Sequence, residues 1–465
     1  MRSVALGAVV IAVAACGSPA AVRPVAPVAA APVVAPAIGA APALRANIPD
    51  TAAGRQLAWI LDILDRKRGE LTRDEVEAHF DPAFLAKVSP DQVVVISSQL
   101  APDFSGARVA TARGDASALD VRIASATAKY DGKLAVGASG LITGLLFKRV
   151  VAESFDEIAA LLPKLAPKVS LLVAELDGTT CKPIHAIHAT DELAIGSAFK
   201  LYVLLALGDQ IMRGKLSWEQ PISIRDDWKS LPSGITQHDA AGTKLTIRTL
   251  AERMISISDN TATDHLLYTV GRKNAEAALH AANHAQPLLD VPFLGTRELF
   301  LFKLSLGADE IAKYLALKAS PRRAYLDGPL AKQTPTLEHA ADWKTARHIE
   351  DLEWFASPLD LCAAMATLQD RSTKVPALLD VLAINPGLHL APPIWTYVGF
   401  KGGSEPGVLA GTWLLQRDDA KRFVVSLVAN DPTGPEPDEK QAFGLAAAAI
   451  DLLASESRQA PAGSR

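Results

Sequence analysis

Cysteine is scarce in this sequence, with three residues among 465. That number excludes a disulfide scaffold and any four-cysteine zinc site. Charge of one sign is also lacking: 47 Lys and Arg stand against 51 Asp and Glu, a formal net charge of −4. A chain so balanced offers no basic footprint for nucleic acid. No His-Glu-x-x-His, Gly-x-Gly-x-x-Gly or phosphate-loop pattern occurs. His185 and His188, three residues apart, fall on opposite faces of any strand and make poor joint metal ligands. No metal and no cofactor is therefore expected. What is present is a globular composition, 49% hydrophobic and 21% charged, which argues against disorder across the whole chain. The length predicts two or three domains.

The N-terminal apolar run, Val4 to Ala15, is too short to span a bilayer, for which about 20 residues are needed. With Arg2 before it and small residues at its end, it reads as the apolar region of a signal peptide. Val13-Ala14-Ala15-Cys16 resembles a bacterial lipobox, in which cleavage leaves the cysteine as a lipid-bearing N-terminus. The alternative is an ordinary signal peptide with an accidental Cys16. Residues 17–49 then carry seven prolines, and only Arg23 and Arg45 are charged. Such a segment favours extended chain over helix or sheet, and reads as a spacer. The expectation is a protein exported across the cytoplasmic membrane and lipid-anchored in the envelope, touching the membrane through that anchor only.

From Thr51 the pattern changes. Leu57, Ile60, Leu61 and Leu64 stand at helical spacing, and residues 72–86 repeat the pattern with Thr72 as a cap. The segments 120–128 and 133–147 read as strands, with a turn expected at Tyr130-Asp131-Gly132-Lys133. Helices followed by strands predict a small α+β domain. The stretch Gly140 to Phe147 resembles the last strand of steroid-isomerase-like roll domains. No acid–base constellation appears here, so a packing or recognition role is expected. Residues 151–168 read as a connecting helix. VSLLVAEL then begins a second unit with a buried strand, and Asp177-Gly178 turns it into a hairpin.

Three motifs in the second unit carry chemistry. Ser197-Ala-Phe-Lys200 opens a strongly apolar helix, so the lysine sits one turn after the serine on the same face. Read alone, this is a helix cap followed by a solvated lysine. The apolar surroundings argue instead for a buried lysine with a lowered pKa. Ser258-Asp259-Asn260 joins two helices; read alone, these are capping residues. Lys401-Gly402-Gly403-Ser404 lies in a β-like segment; read alone, it is a strand ending in a glycine turn.

Taken together, the motifs resemble those of class A β-lactamases and penicillin-binding proteins, S-x-x-K, S-D-N and K-T-G. The first two stand 61 residues apart (258 − 197). The resemblance extends to the helix TIRTLAERMI before the second motif, the helix within WFASPLDLCAAMATL, the strands of TWLLQRDDAKRFVVSLVAND and the C-terminal helix QAFGLAAAAIDLLA. It implies a three-layer α/β domain, an antiparallel sheet flanked by helices. It also implies roles: Ser197 as nucleophile, Lys200 as base, Ser258 as proton relay, Asn260 as the residue orienting Lys200 and substrate, Lys401 as the second cation. The backbone N–H groups of Ser197 and Ser404 would form the oxyanion hole, and Gly402 and Gly403 would let substrate approach the strand.

Two departures from the pattern matter. Gly402 stands where the family has Thr or Ser, which removes a carboxylate partner. The deacylating Glu-x-x-Leu-Asn pattern is missing; Glu298 is the candidate deacylation base, and a structural salt bridge is its alternative. The 143-residue step from Ser258 to Lys401 (401 − 258) places extra residues between Ala308 and Glu353, expected as a lid or surface helices. The layout, a small roll domain before a β-lactamase-like one, resembles a family of actinobacterial serine hydrolases, one of them from clavulanic acid biosynthesis. That resemblance implies esterase-type activity on cephalosporin-like compounds or other small esters. The alternatives are a penicillin-recognising protein that acylates without efficient turnover, and a non-catalytic binding protein that keeps the fold. The expected plan is 1–16 signal peptide, 17–49 linker, 50–150 roll domain, 151–168 connecting helix, 169–456 hydrolase-like domain and 457–465 tail. Whether Cys181 and Cys362 pair stays open at this level, as does the oligomeric state.

Overall fold

The computed structural model describes residues 47–65, 71–337, 342–388, 390 and 394–459, with side chains as far as 454. Cys16 and most of the proline-rich segment lie outside the described residues. The chain divides into two compact units between Val151 and Ala152. No helix among the described residues is long and apolar enough to cross a membrane.

In the first unit, helices Ala52–Asp65, Arg73–His79, Pro82–Leu85 and Pro90–Phe104 precede an antiparallel meander. Its strands are Arg108–Gly114, Ala118–Ala124, Lys129–Val136 and Ile142–Val150. Thr72 caps its helix, its hydroxyl accepting from the Glu75 N–H while Glu75 accepts from the Thr72 N–H. The single helix expected over 72–86 is two. Phe80 is extended, and Asp81 and Pro82 begin a new short helix, because proline fits a first turn and not a helix interior. The helix Pro90–Phe104 was not expected from periodicity. Its start is set by Ser89, whose hydroxyl accepts from the Gln92 N–H, and by Pro90 in the first turn.

The turn expected at Tyr130–Lys133 is instead the middle of a strand. Tyr130 pairs with Ile123 and Arg149, and Gly132 with Val121 and Phe147. A side chain at 132 has no room, since a Cβ there would lie 2.6 Å from Val121 and 2.9 Å from Phe147. Glycine thus marks close packing here, not a turn. Leu119, Val121, Ile123, Tyr130, Leu134 and Phe147 share one apolar cluster with Leu57, Ile60, Phe80, Phe84 and Phe104 of the helices. Asp120, Arg122, Asp131 and Lys133 alternate with them, and Arg122 pairs with Asp131 across the strands. This is the period-two pattern of a sheet covered on one face.

The second unit is built on a five-stranded antiparallel sheet. Its order is Trp395–Glu405, Val408–Arg417, Arg422–Asn430, Lys168–Asp177, Thr180–Ile187. Alternate residues of the central strands serve two cores. Val424 and Val428 pack with helices Lys200–Met212, Ile247–Ser256, Asn260–Val270 and Pro358–Ser372. Phe423, Val425 and Leu427 pack with helices Phe155–Leu161 and Glu439–Gln459. Covered on both faces, these strands are almost continuously buried, and the result is a three-layer arrangement. Cys181 and Cys362 form a disulfide that ties an edge strand to the helix Pro358–Ser372. The insertion between the second and third motifs contains helices Ala308–Leu315 and Ala319–Asp327.

Candidate active site

The segment before Ser197 is held from two sides. The short strand Leu193–Ala194 pairs with Phe355–Ala356. The Asn430 side chain brackets Ala194, accepting from its N–H and donating to its carbonyl, each at 2.9 Å. Gly196 then turns with φ +46, and Ser197 lies in a 3₁₀ turn, Gly196–Phe199, that runs into the helix Lys200–Met212. That helix is buried along most of its length, so Lys200 at its start is fully buried as well.

Four oxygens surround the Lys200 ammonium nitrogen. Nζ is 2.7 Å from the Ser258 carbonyl, 2.7 Å from Asn260 Oδ1, 3.0 Å from Ser197 Oγ and 3.0 Å from Ser258 Oγ. The two shortest contacts are to oxygens that can only accept. The Asn260 amide orientation is fixed, because its Nδ2 donates to the Leu231 carbonyl at 3.1 Å. A neutral lysine therefore gives its two hydrogens to these acceptors and keeps its lone pair for a hydroxyl. Burial, and next the charge of Lys401, push the Lys200 amine well below its ordinary range. Burial also brings Lys401 down to about 7. Lys401 donates to the Gly402 carbonyl at 2.5 Å and to Ser258 Oγ at 3.2 Å. Ser258 Oγ thus stands between the two lysines.

Ser258 takes a left-handed backbone, φ +55, uncommon for a residue with a Cβ and characteristic of sites held by their surroundings. Its carbonyl accepts from Ser233 Oγ at 2.7 Å as well as from Lys200. Asp259 caps the following helix through the Ala262 N–H and also accepts from the Ile235 and Thr236 N–H groups. It is a structural member of the motif. On the third strand, Gly403 passes against the Ser197 turn. A Cβ on Gly403 would lie 2.2 Å from the Ile195 carbonyl and 2.6 Å from the Ser197 N, and one on Gly196 3.2 Å from the Ser404 N. The backbones of Ser197 and Ser404 are adjacent because neither glycine has a side chain. At Gly402 the nearest obstacle is the Phe400 ring tip, 2.8 Å from where a Cβ would stand.

The structure brings Ser197, Lys200, Ser258, Asn260, Lys401, Gly402, Gly403 and Ser404 into one cluster. Glu298 is the correction. Its carboxylate accepts from the two terminal Arg272 guanidinium nitrogens at 2.6 and 3.0 Å and from the Gly295 N–H at 2.7 Å. The buried pair occupies both oxygens, so this is the salt-bridge alternative and not a free base. Three supporting residues were not singled out from sequence. Asp264 accepts from the Thr296 and Arg297 N–H groups and from Thr296 Oγ1 at 2.9 Å, and that hydroxyl also lies 3.2 Å from the Asn260 carbonyl. Ser233 anchors Ser258. Asp264 stands four residues after Asn260, on the same helix face, a spacing that could have flagged it.

Residues 153–324 match the β-lactamase enzyme family, and residues 48–142 match the N-terminal region of the ORF 12 gene product. No curated protein matches the chain. Among solved structures, PBP-A is 15% identical, covering 65% of this chain and 95% of that one with a TM-score of 0.43. A β-lactamase from Sphaerobacter thermophilus DSM 20745 is 17% identical, covering 66% and 100% with a TM-score of 0.45. An ancestral Gram-negative class A β-lactamase is 17% identical, covering 65% and 98% with a TM-score of 0.44. The second unit carries the match to the β-lactamase enzyme family over residues 153–324 and has an antiparallel sheet flanked by helices, and the first is a separate helix-and-sheet domain.

Proposed function

We propose that this chain is a serine hydrolase that transfers acyl groups to water through an ester on Ser197. It would accept small esters and cephalosporin-like compounds in preference to penicillins. The observation that carries the reading is the Lys200 environment: two acceptor-only oxygens at 2.7 Å and the Ser197 hydroxyl at 3.0 Å. Neutral Lys200 takes the Ser197 proton as Oγ attacks the substrate carbonyl. The developing oxyanion meets the backbone N–H groups of Ser197 and Ser404. Ser258, between the lysines, passes the proton to the leaving group. Lys401 disfavours charge on Lys200 and attracts a substrate carboxylate.

Selectivity against penicillins rests on Gly402, which offers no hydroxyl to a carboxylate. The locked Glu298 favours a second reading, acylation by β-lactams without efficient turnover. Location belongs to the same proposal: export and lipidation at Cys16, supported by the lipobox-like sequence and by the Cys181–Cys362 disulfide, a bond that persists in oxidising compartments. Burst kinetics with a chromogenic ester and with nitrocefin, joined to mass spectrometry of the adduct, tests the reading. Steady ester hydrolysis with an adduct on the Ser197 peptide is expected. A single burst with both substrate classes would favour the second reading. Rapid penicillin turnover, or an adduct on another serine, would overturn both.

A further inference from the structure

The second unit buries another polar cluster, which the proposed reaction does not use. Glu192, His284 and Asp360 each bring one potential ligand atom within 4.8 Å of the others. Asp290 joins them, its Oδ2 3.8 Å from His284 Nε2. Glu192 lies on the segment leading to Ser197, His284 follows the helix Arg272–Ala281, and Asp360 is in the first turn of Pro358–Ser372. His284, Asp290 and Asp360 are all buried.

Among the described residues, His284 is the one basic side chain within ion-pair distance of these three carboxylates. Its ring makes two bonds that suit a neutral imidazole. Nδ1 accepts from the Gln286 N–H at 3.1 Å, and Nε2 donates to the Phe355 carbonyl at 2.9 Å. Backbone N–H groups satisfy part of the two aspartates: Ala285 and Ser357 donate to Asp360, and Phe355 to Asp290. Glu192 is different. Both its carboxylate oxygens are shielded from solvent, and they face the Asp360 carboxylate rather than a cationic side chain.

A second observation is independent of the acids. Tyr202, on the Lys200 helix, is 1% exposed, and its hydroxyl also has no partner. Its ring is 5.7 Å from that of His284, and the carboxylates acting on its hydroxyl are Asp360, Asp290 and Glu192. A fully buried phenol without a partner thus stands beside the acidic cluster. Buried polar groups are paired with very few exceptions, and buried carboxylates are ion-paired, coordinate metals or share a proton. Without a metal, burial and next the neighbouring Asp360 carboxylate push the Glu192 carboxyl up to about 8, so the two acids share a proton. A cation would engage the Glu192 oxygens and bring a water within reach of the phenol.

We infer that Glu192, His284 and Asp360 bind one divalent cation of the zinc or manganese class, with Asp290 and Tyr202 around it. Two carboxylates and an imidazole suit such ions better than calcium, which takes oxygen ligands. His284 exchanges one of its present bonds for the metal. The ligand atoms draw together slightly, since metal–ligand bonds of about 2.1 Å bring them within roughly 4.3 Å of one another. The ion ties the approach to Ser197 to two other segments of the unit and takes no part in acyl transfer. The expectation of no metal rested on the missing cysteine and His-Glu-x-x-His patterns; the ligands named here, 92 and 76 residues apart (284 − 192, 360 − 284), form no local motif.

The test uses the full chain without a histidine tag, stripped with a chelator and titrated calorimetrically with Zn²⁺ alone and with Mn²⁺ alone. One ion per chain and a raised melting temperature are expected for at least one of them. Glu192→Gln should weaken binding by more than the roughly tenfold cost of losing an outer-shell partner. It should leave the metal-free melting temperature about equal, since an amide of the same shape replaces the carboxyl. Failure of both ions to bind stoichiometrically to the stripped wild-type chain, or unchanged affinity in Glu192→Gln, would overturn the site. Adduct formation at Ser197 is measured separately, so the hydrolase reading stands or falls on its own.

Discussion

The two units differ in what they bury. Among the described residues, every fully buried polar or charged side chain lies in the second unit; the core of the first is apolar, with Tyr130 its most polar member. Tyr130 donates to Asp103 at 2.6 Å, a contact at the edge of that core. In the second unit Lys200, Asp259, Asn260, Asp264 and Lys401 are buried together. Burying such groups opposes folding unless each is paired. A domain that retains them keeps them for chemistry or for positioning, and the shifted pKa values of Lys200, Lys401 and Asp264 are the usual mark of that use. A domain that excludes them is arranged for packing. The comparison finds the buried acid–base groups on which the proposed acyl transfer depends in the second unit, and an apolar core in the first.

The largest expected effect follows directly. Ser197→Ala should lower hydrolysis by roughly 10⁴-fold or more, and Lys200→Ala by a similar amount, without adding when combined, because the two act as one unit. Steady-state rates and circular dichroism on the three variants check this. Full activity in folded Ser197→Ala protein would remove the chemical side of the comparison.

Gly403→Ala comes next. The added methyl would sit 2.2 Å from the Ile195 carbonyl and 2.6 Å from the Ser197 N, so the strand must move away from the turn. Separating the two oxyanion donors should cost about 10²–10³ in kcat, close to the loss of one donor. Gly402→Ala should cost less, because its neighbour is the tip of the Phe400 ring rather than backbone.

Much of this was legible in the sequence, for physical reasons. The apolar helix after Ser197 announced that Lys200 would be buried, and its spacing put the amine beside the hydroxyl. Ser258 and Asn260 were legible as a motif, but not their geometry, since the positive φ of Ser258 depends on Ser233 and Lys200 holding its carbonyl. Glu298 was ambiguous for a similar reason. Its fate depends on Arg272, 26 residues earlier, and one sequence contains no sign of that pairing. Tyr130–Lys133 misread as a turn because Asp-Gly is a turn signal, whereas Gly132 is set by the Val121 and Phe147 side chains packed over it.

The pH dependence is a smaller effect with a definite sign. Lys401 releases its proton near 7, so kcat/KM for a carboxylate-bearing substrate should fall above that pH, by about tenfold per unit at the limit. A neutral ester should show a much weaker fall, and both should share an acid limb as Lys200 gains a proton. Stability should run the other way. The unfolded lysine keeps its proton to about pH 10.4. Between 7 and that value the unfolded chain binds more protons, so stability rises with pH across the window. Paired pH profiles and denaturation curves test the two signs together, and identical alkaline limbs for the two substrates would exclude Lys401 as the carboxylate partner.

The smallest expected effect on catalysis is in the first unit, where the comparison predicts almost none. Phe104 is 1% exposed, with ring centroids 4.7 Å from Tyr130 and 5.1 Å from Phe147. Phe104→Ala should destabilise that unit by about 3–5 kcal/mol, the usual cost of emptying an aromatic core position. Tyr130→Phe should cost about 1 kcal/mol for its lost hydrogen bond. Neither side chain belongs to the cluster that surrounds Ser197, so the acylation rate of the folded protein should stay within about twofold of wild type in both. Stopped-flow acylation below the unfolding transition, beside thermal melts, measures the two quantities on one sample. A variant that melts like wild type yet acylates tenfold more slowly would show that the first unit supplies a group to the reaction, and the division of labour drawn from the buried side chains would fail.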